Sequence, residues 1–294
     1  MSSARSITDY VTHPHLPVPA PRYRRTGLKT GIVHVGVGGF HRAHEAMFID
    51  RLLAEGAADD WAICGVGVLP VDRRMRDVLR AQDGLYTLLL RHPDGIEEAR
   101  IIGSLVEHIV VPDDPDAVIE RIAHPDTRIL SLTITEGGYC LDPVTGGFDA
   151  SAAGVAADLA DPEHPATVFG LVTEALRRRR ERGVGGLTMM SCDNLPGNGT
   201  VARRSFVSFA RLRDPALADW IESAVSFPNS MVDRITPATT PADVEHVRER
   251  YGIDDAWPVV AEPFVQWVIE DHFVAGRPPF ERAGAHAGRG RHPV

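Results

Sequence analysis

The stretch that most constrains this chain is GVGGFHRAH, Gly36 to His44, which follows the apolar run GIVHV and precedes a helix-like segment. A short apolar run of this kind reads as a strand buried on both faces of a parallel sheet. A strand that passes through glycines into a helix leaves backbone N–H groups without helical partners at the positive end of the helix dipole, a ready anion site. Gly36 would permit the tight turn and Gly38 would let the backbone approach a pyrophosphate. His41 stands where the dinucleotide fingerprint has its third glycine, with Gly39 as a candidate to compensate. The competing reading is a glycine-rich turn with no ligand.

Context favours the nucleotide. After the turn, AHEAMFIDRLLAEG has helical spacing and a C-terminal Gly56, WAICGVGVL reads as a second strand, and VDRRMRDVLRAQ as a helix. LYTLLLRHPDGIEEARIIG reads as a hairpin around a Pro-Asp-Gly turn. LVEHIVV, TRILSLTIT and GGLTMMSCD supply further strands, and a long helix ends near Gly183. Such alternation predicts an α/β fold, a doubly wound Rossmann-type sheet with a hairpin insertion. Asp72, after the second strand, is placed to accept hydrogen bonds from an adenosine ribose and to repel a 2′-phosphate, which favours NAD over NADP. Its alternative role is to cap the helix around Met75.

Composition narrows the partners. The 294 residues carry a formal net charge of -9, which disfavours nucleic acid. The only dense basic run, Arg177 to Arg180, reads as a solvated helix end. Cys64, Cys140 and Cys192 lack metal or redox spacing and suit free thiols in a reducing compartment. No apolar run is long enough to span a membrane and no signal-peptide core is evident, so the expected location is cytoplasmic. Lone histidines such as His108 and His272 have no paired spacing, and no metal site is assigned. Residues 1–30 read as an extended Pro- and Arg-rich arm, 31–281 as the NAD-binding domain and 282–294 as a disordered tail.

Three more segments make the reading specific: TITEGGY (Thr133 to Tyr139), SCDNLPGNG (Ser191 to Gly199) and FPNSMVDRITP (Phe227 to Pro237). With GVGGFHRAH they closely resemble the mannitol dehydrogenase family, the long-chain polyol and hexuronate dehydrogenases, and the likeness runs from about Gly31 to Glu281. The resemblance implies metal-free hydride transfer, with NAD(H) or NADP(H), between a secondary alcohol and a ketone on a polyol or hexuronate. It places Gly36, Gly38, Gly39, Phe40 and His41 at the cofactor. It makes Asn194 a donor to the developing oxyanion, as preorganised donors should be. Asp233 becomes an acidic residue of the polyol site, and Glu136 a contact to the cofactor or a proton path. The residues alone leave alternatives: Asn194 as a turn residue, Asp233 paired with Arg234 or capping, Glu136 as a plain loop carboxylate.

The resemblance also implies a general-base lysine in a K-x4-N-x3-H motif that opens a helical second domain. That motif is absent, and Lys29 is the only lysine. A frameshift or early end that replaces the helical domain with an arbitrary tail would account for it. The expectation is then a cofactor domain without turnover and with apolar surface exposed where the second domain would pack. The first reading is thus an NAD-dependent polyol or hexuronate dehydrogenase by descent, represented by its cofactor domain; the alternatives are a catalytically inactive NAD(H)-binding module and, remotely, a sugar-binding or regulatory protein on the same scaffold. The particular polyol and the oligomeric state stay open.

Overall fold

A computed structural model describes residues 4–13 and 17–288. Its centre is a parallel five-stranded sheet built from β2 (Thr30–Val35), β3 (Ala62–Gly67), β6 (Leu105–Val110), β7 (Ile129–Leu132) and β8 (Thr188–Ser191). The spatial order is β6-β3-β2-β7-β8, so the chain winds outward from β2 to one side and then restarts at β7 on the other. Alternate residues of β2 serve two cores. Val33 and Val35 pack with α5 (Pro115–Ala123), α7 (Val168–Glu181), α8 (Asn198–Arg213) and α9 (Pro215–Ala224). Ile32 packs on the opposite face with α3 (Glu45–Ala54). Strands buried on both faces read as nearly continuous apolar runs, which is why these lack alternation; polar exceptions such as His34 and Ser131 are buried with hydrogen-bond partners.

The hairpin insertion is β4 (Tyr86–Arg91) with β5 (Glu97–Ile102), antiparallel as expected, after α4 (Arg73–Ala81). It forms a separate sheet with β11 (Val259–Ala261). A third sheet joins β9 (Ser230–Asp233), β12 (Gln266–Glu270) and β13 (His286–Gly288). The remaining helices are α2 (Gly39–Ala43), α6 (Ala153–Ala160) and α10 (Pro241–Tyr251).

Three expectations need correction. The N-terminal arm is not merely extended: β1 (Arg5–Ser6) pairs with β10 (Ile253–Asp254), and α1 (Ile7–Val11) buries Ile7 and Tyr10. The segment after residue 281 is ordered as far as it is described, because β13 adds parallel to β12 and gives its backbone groups partners. Residues 289–294 lie outside the described part. The Arg177–Arg180 run is not uniformly solvated, since Arg179 is 2% exposed. Its guanidinium donates to the carbonyls of Ile122, His124, Thr127, Gly185 and Gly186, clamping two loops at the amino edge of the sheet. Among the described residues no helix is long and apolar enough to cross a membrane.

Candidate functional site

The strand order reverses between β2 and β7, and open α/β sheets bind ligands in the crevice beyond the carboxyl ends at such a reversal. The turn Gly36–Gly38 leaves β2 at this point. Gly36 has φ +98°, and a β-carbon there would lie 2.2 Å from the Thr133 carbonyl oxygen, so only glycine fits. Gly38 differs: its backbone is extended, and the nearest atom to an added β-carbon is 3.9 Å away. The space above Gly38 is therefore open. A β-carbon on Gly39 would come 3.3 Å from the Thr236 methyl, so Gly39 serves close packing of the VDRITP segment on the turn. In α2 the first helical bond runs from the Arg42 N–H to the Gly38 carbonyl, which leaves the N–H groups of Gly39, Phe40 and His41 pointing beyond the helix start.

The side chains of FHRAH turn inward. Phe40 is half-buried and stacks on His44, with ring centroids 4.9 Å apart. His41 is 1% exposed, its ring stacked on His34 with centroids 3.4 Å apart. The His41 ring is thus turned away from the open side of the turn, and the backbone N–H is the part of His41 that faces it. Burial lowers the His41 pKa to about 3, with His34 adding to the effect. Arg42 donates to the Trp257 carbonyl, and His44 is 2.9 Å from the Gln266 carbonyl. Arg234 donates to the carbonyls of Ala43 and Glu262. These residues fasten the turn to the second half of the chain.

Asp72 lies past the carboxyl end of β3, half-buried, with one carboxylate oxygen accepting the Leu69 N–H at 2.8 Å. It makes no side-chain cap to α4; it closes the turn before it. Gly67 admits it, since a β-carbon there would sit 2.5 Å from Asp72 Cβ. Gly65 similarly admits Val37, which would otherwise stand 2.6 Å from a β-carbon. Beyond β3 and β6 opens a cleft of about 570 Å³ whose lining includes Val68, Pro70, Val111, Pro112 and Ile119. It offers an apolar slot of the kind a flat heterocycle fills.

Glu136 is exposed just past β7, on a loop held by Asp193, which accepts the N–H groups of Ile134 and Thr135 and the Tyr139 hydroxyl. Asn194 is exposed just past β8. Its neighbour Asn198, in the same motif, is fully buried and joins the Ser191, Asp193 and Ser230 carbonyls to the Ser230 N–H. Asp233 is exposed, while Arg234 is spent on backbone carbonyls, so the two do not pair. Ile235 and Phe264, 66% and 53% exposed, put apolar surface next to it. The structure therefore gathers Gly36–His41, Asp72, Glu136 and Asn194 along one carboxyl edge, with Asp233 on the strand that crosses it. Sequence reasoning passed over Gly65, Gly67, Asn198 and His34; the paired glycines of CGVGV were the readable signal.

One cluster could suggest a metal: among the described residues His34, His41 and Glu45 bring ligating atoms within 4.8 Å. The two imidazoles are stacked at 15°, however, so their in-plane lone pairs run side by side and do not converge on one point. Glu45 Oε2 instead stands 3.0 Å from His34 Nδ1.

Residues 30–282 match the family model described as the mannitol dehydrogenase Rossmann domain. Mannitol 2-dehydrogenase of Aspergillus terreus is 50% identical over 280 residues, which cover 94% of this chain and 56% of that protein. The polyol:NADP oxidoreductase of Gluconobacter oxydans is 50% identical over 269 residues, 91% of this chain and 55% of that protein. A ternary complex of Pseudomonas fluorescens mannitol 2-dehydrogenase with NAD and D-mannitol superposes with a TM-score of 0.93 at 48% identity, covering 96% of this chain and 57% of that one. Substrate-free D-sorbitol dehydrogenase gives 0.91 at 46% identity, over 98% and 59%. The chain thus spans about half the length of the relatives it matches. It belongs to the mannitol dehydrogenase family, as its Rossmann domain.

Proposed function

We propose that these residues bind NAD at the carboxyl edge of the sheet and form the cofactor half of a polyol dehydrogenase. The open turn carries the reading: Gly38 leaves room for a diphosphate, and the N–H groups of Gly39, Phe40 and His41 face it. Asp72 would hold the adenosine ribose, and the cleft lined by Val68 and Val111 the adenine. The negative Asp72 favours NAD; the Gluconobacter oxydans relative, named for NADP, makes this a point to measure. When bound, NAD supplies the hydride acceptor for oxidation of a secondary alcohol.

The chain's own part is positioning and charge. Asn194, exposed past β8, would donate from its amide to the alcohol oxygen as negative charge builds there. Asp233 would accept hydrogen bonds from polyol hydroxyls, and Glu136 would border the cofactor. The hydroxyl proton needs an acceptor. Lys29, the only lysine, precedes β2 at the opposite, amino edge, 3.9 Å from Asp126, and cannot serve. With the lysine base that the family resemblance implies not supplied by Lys29, residues 1–294 taken by themselves are proposed to bind NADH without polyol turnover. Purified chain should take up NADH one to one and form no NADH from NAD and mannitol. Steady NADH formation would refute the second half of the reading, and a folded chain that binds no NADH would refute the first.

A further inference from the structure

A buried polar cluster lies directly beneath the dinucleotide turn, and its hydrogen bonds fix the state of one histidine. His34, on β2, is wholly buried. Its Nδ1 is 2.8 Å from Ser131 Oγ and 3.0 Å from Glu45 Oε2, while its Nε2 is 2.9 Å from Thr133 Oγ1 and 3.3 Å from the Gly36 carbonyl. Each hydroxyl has one proton to give. Ser131 gives its own to Glu45 at 2.8 Å, and Thr133 gives its own to the Gly36 carbonyl at 2.7 Å. A carbonyl can only accept, so the Thr133 proton is committed to Gly36, and towards His34 the Thr133 hydroxyl can only accept; Nε2 therefore carries a proton and donates. With Nε2 bare, Thr133 would turn its proton to the ring and leave two oxygens facing each other at 2.7 Å with nothing between them.

Glu45 lies against the other side of the ring. Glu45 is buried, and although burial alone would raise its pKa, the contacts with His34 and His41 hold it well below the usual carboxylate range. His41 stacks on His34 and stays neutral. Its Nδ1 is 3.2 Å from Glu45 Oε2 but outside hydrogen-bond geometry, and His34 Nδ1 reaches Glu45 through the Ser131 hydroxyl as well as by direct approach.

We propose that His34 acts as a positioning residue for the turn, its Nε2–H orienting the Thr133 hydroxyl onto the Gly36 carbonyl. The consequence follows from the planar trans peptide: with the Gly36 carbonyl drawn inward, the N–H of Val37 on the same peptide points outward. That N–H then joins those of Gly39, Phe40 and His41 as a donor to an anion above the turn. This inference rests on the turn being the NAD site, and adds to it the device that aims one of the donors.

Two measurements test it. The nitrogen-15 resonance of His34 Nε2 in the folded chain should be that of a protonated nitrogen; a bare Nε2 overturns the proposal irrespective of any ligand. NADH titrations should show Thr133→Val binding about tenfold more weakly, with Thr133→Ser restored to within about threefold, a rescue that mere packing would not give. Thr133→Val binding NADH like the unaltered chain would overturn the inference alone. An unaltered, folded chain that binds no NADH would instead overturn the reading on which it rests.

Discussion

Replacing Gly38 separates what the turn needs for folding from what it needs for binding. The residue has φ −113° and ψ −170°, extended backbone that any residue adopts. A β-carbon would find its nearest neighbour, the Gly36 carbonyl oxygen, at 3.9 Å, so the folded state loses nothing. The unfolded chain loses freedom, which stabilises Gly38→Ala by about 0.4–1 kcal/mol. At this size that corresponds to a melting temperature unchanged or raised by roughly 1–3 °C. Binding should respond in the opposite sense. The added carbon occupies the space through which a diphosphate approaches the turn N–H groups. Losing one charge-assisted hydrogen bond costs about 1.5–3 kcal/mol, so NADH affinity falls at least about tenfold for Ala. For Gly38→Val the fall is on the order of a hundredfold, as a second bond is stretched. Thermal unfolding followed by circular dichroism, with fluorescence titration of NADH, reads both quantities on the same samples. A valine variant that melts normally and still binds NADH like the unaltered chain would refute the assignment of the turn.

Gly36→Ala should do the reverse, losing several kcal/mol of stability, since it combines a positive φ with a 2.2 Å clash against Thr133; a melt like that of the unaltered chain would contradict this. Asp72→Asn keeps an acceptor for the Leu69 N–H but removes the charge, so the preference for NADH over NADPH should narrow about tenfold in competitive titrations. Arg179→Met leaves five carbonyl contacts unmade and should cost about 3–5 kcal/mol in urea unfolding, although the residue lies at the amino edge, away from the site. Burial raises the Glu174 carboxyl, but hydrogen bonds from Arg177, Arg178 and Arg213 outweigh it and hold its pKa down to about 2. Its contribution, roughly 1–3 kcal/mol after allowing for solvent screening, is present above about pH 4.5 and lost as pH falls toward 2; Glu174→Gln should flatten that acid limb of the stability curve.

Much of this architecture was legible because the determinants were local. Apolar runs fixed the parallel strands, a Pro-Asp-Gly turn fixed the hairpin, and Gly36 marked the sharp exit from β2. What stayed hidden depended on partners distant in the chain. Arg179 reads as one more surface arginine until the loops carrying Ile122, His124 and Thr127 fold against it. His34 looks like a stray polar residue in a strand, because Ser131 and Thr133 lie nearly a hundred residues further along the chain and meet it only once β7 has paired with β2. The motif places His41 at the cofactor but does not say that its ring is spent on packing and its backbone faces the turn. The strand at His286–Gly288 has three residues and no periodicity, so its pairing with β12 left no pattern to read. Within SCDNLPGNG the two asparagines look equivalent, yet Asn198 is the scaffold and Asn194 is the one left facing out.

The central claim is that the carboxyl edge of the five-stranded sheet holds NAD. Amide hydrogen exchange of this chain with and without saturating NADH addresses it most directly. The account predicts slowed exchange at residues 36–41, 68–72 and 133–137, with the clamp around Arg179 at the amino edge unchanged. NADH that binds but protects other segments, or leaves the Gly36–His41 amides exchanging as before, would contradict it.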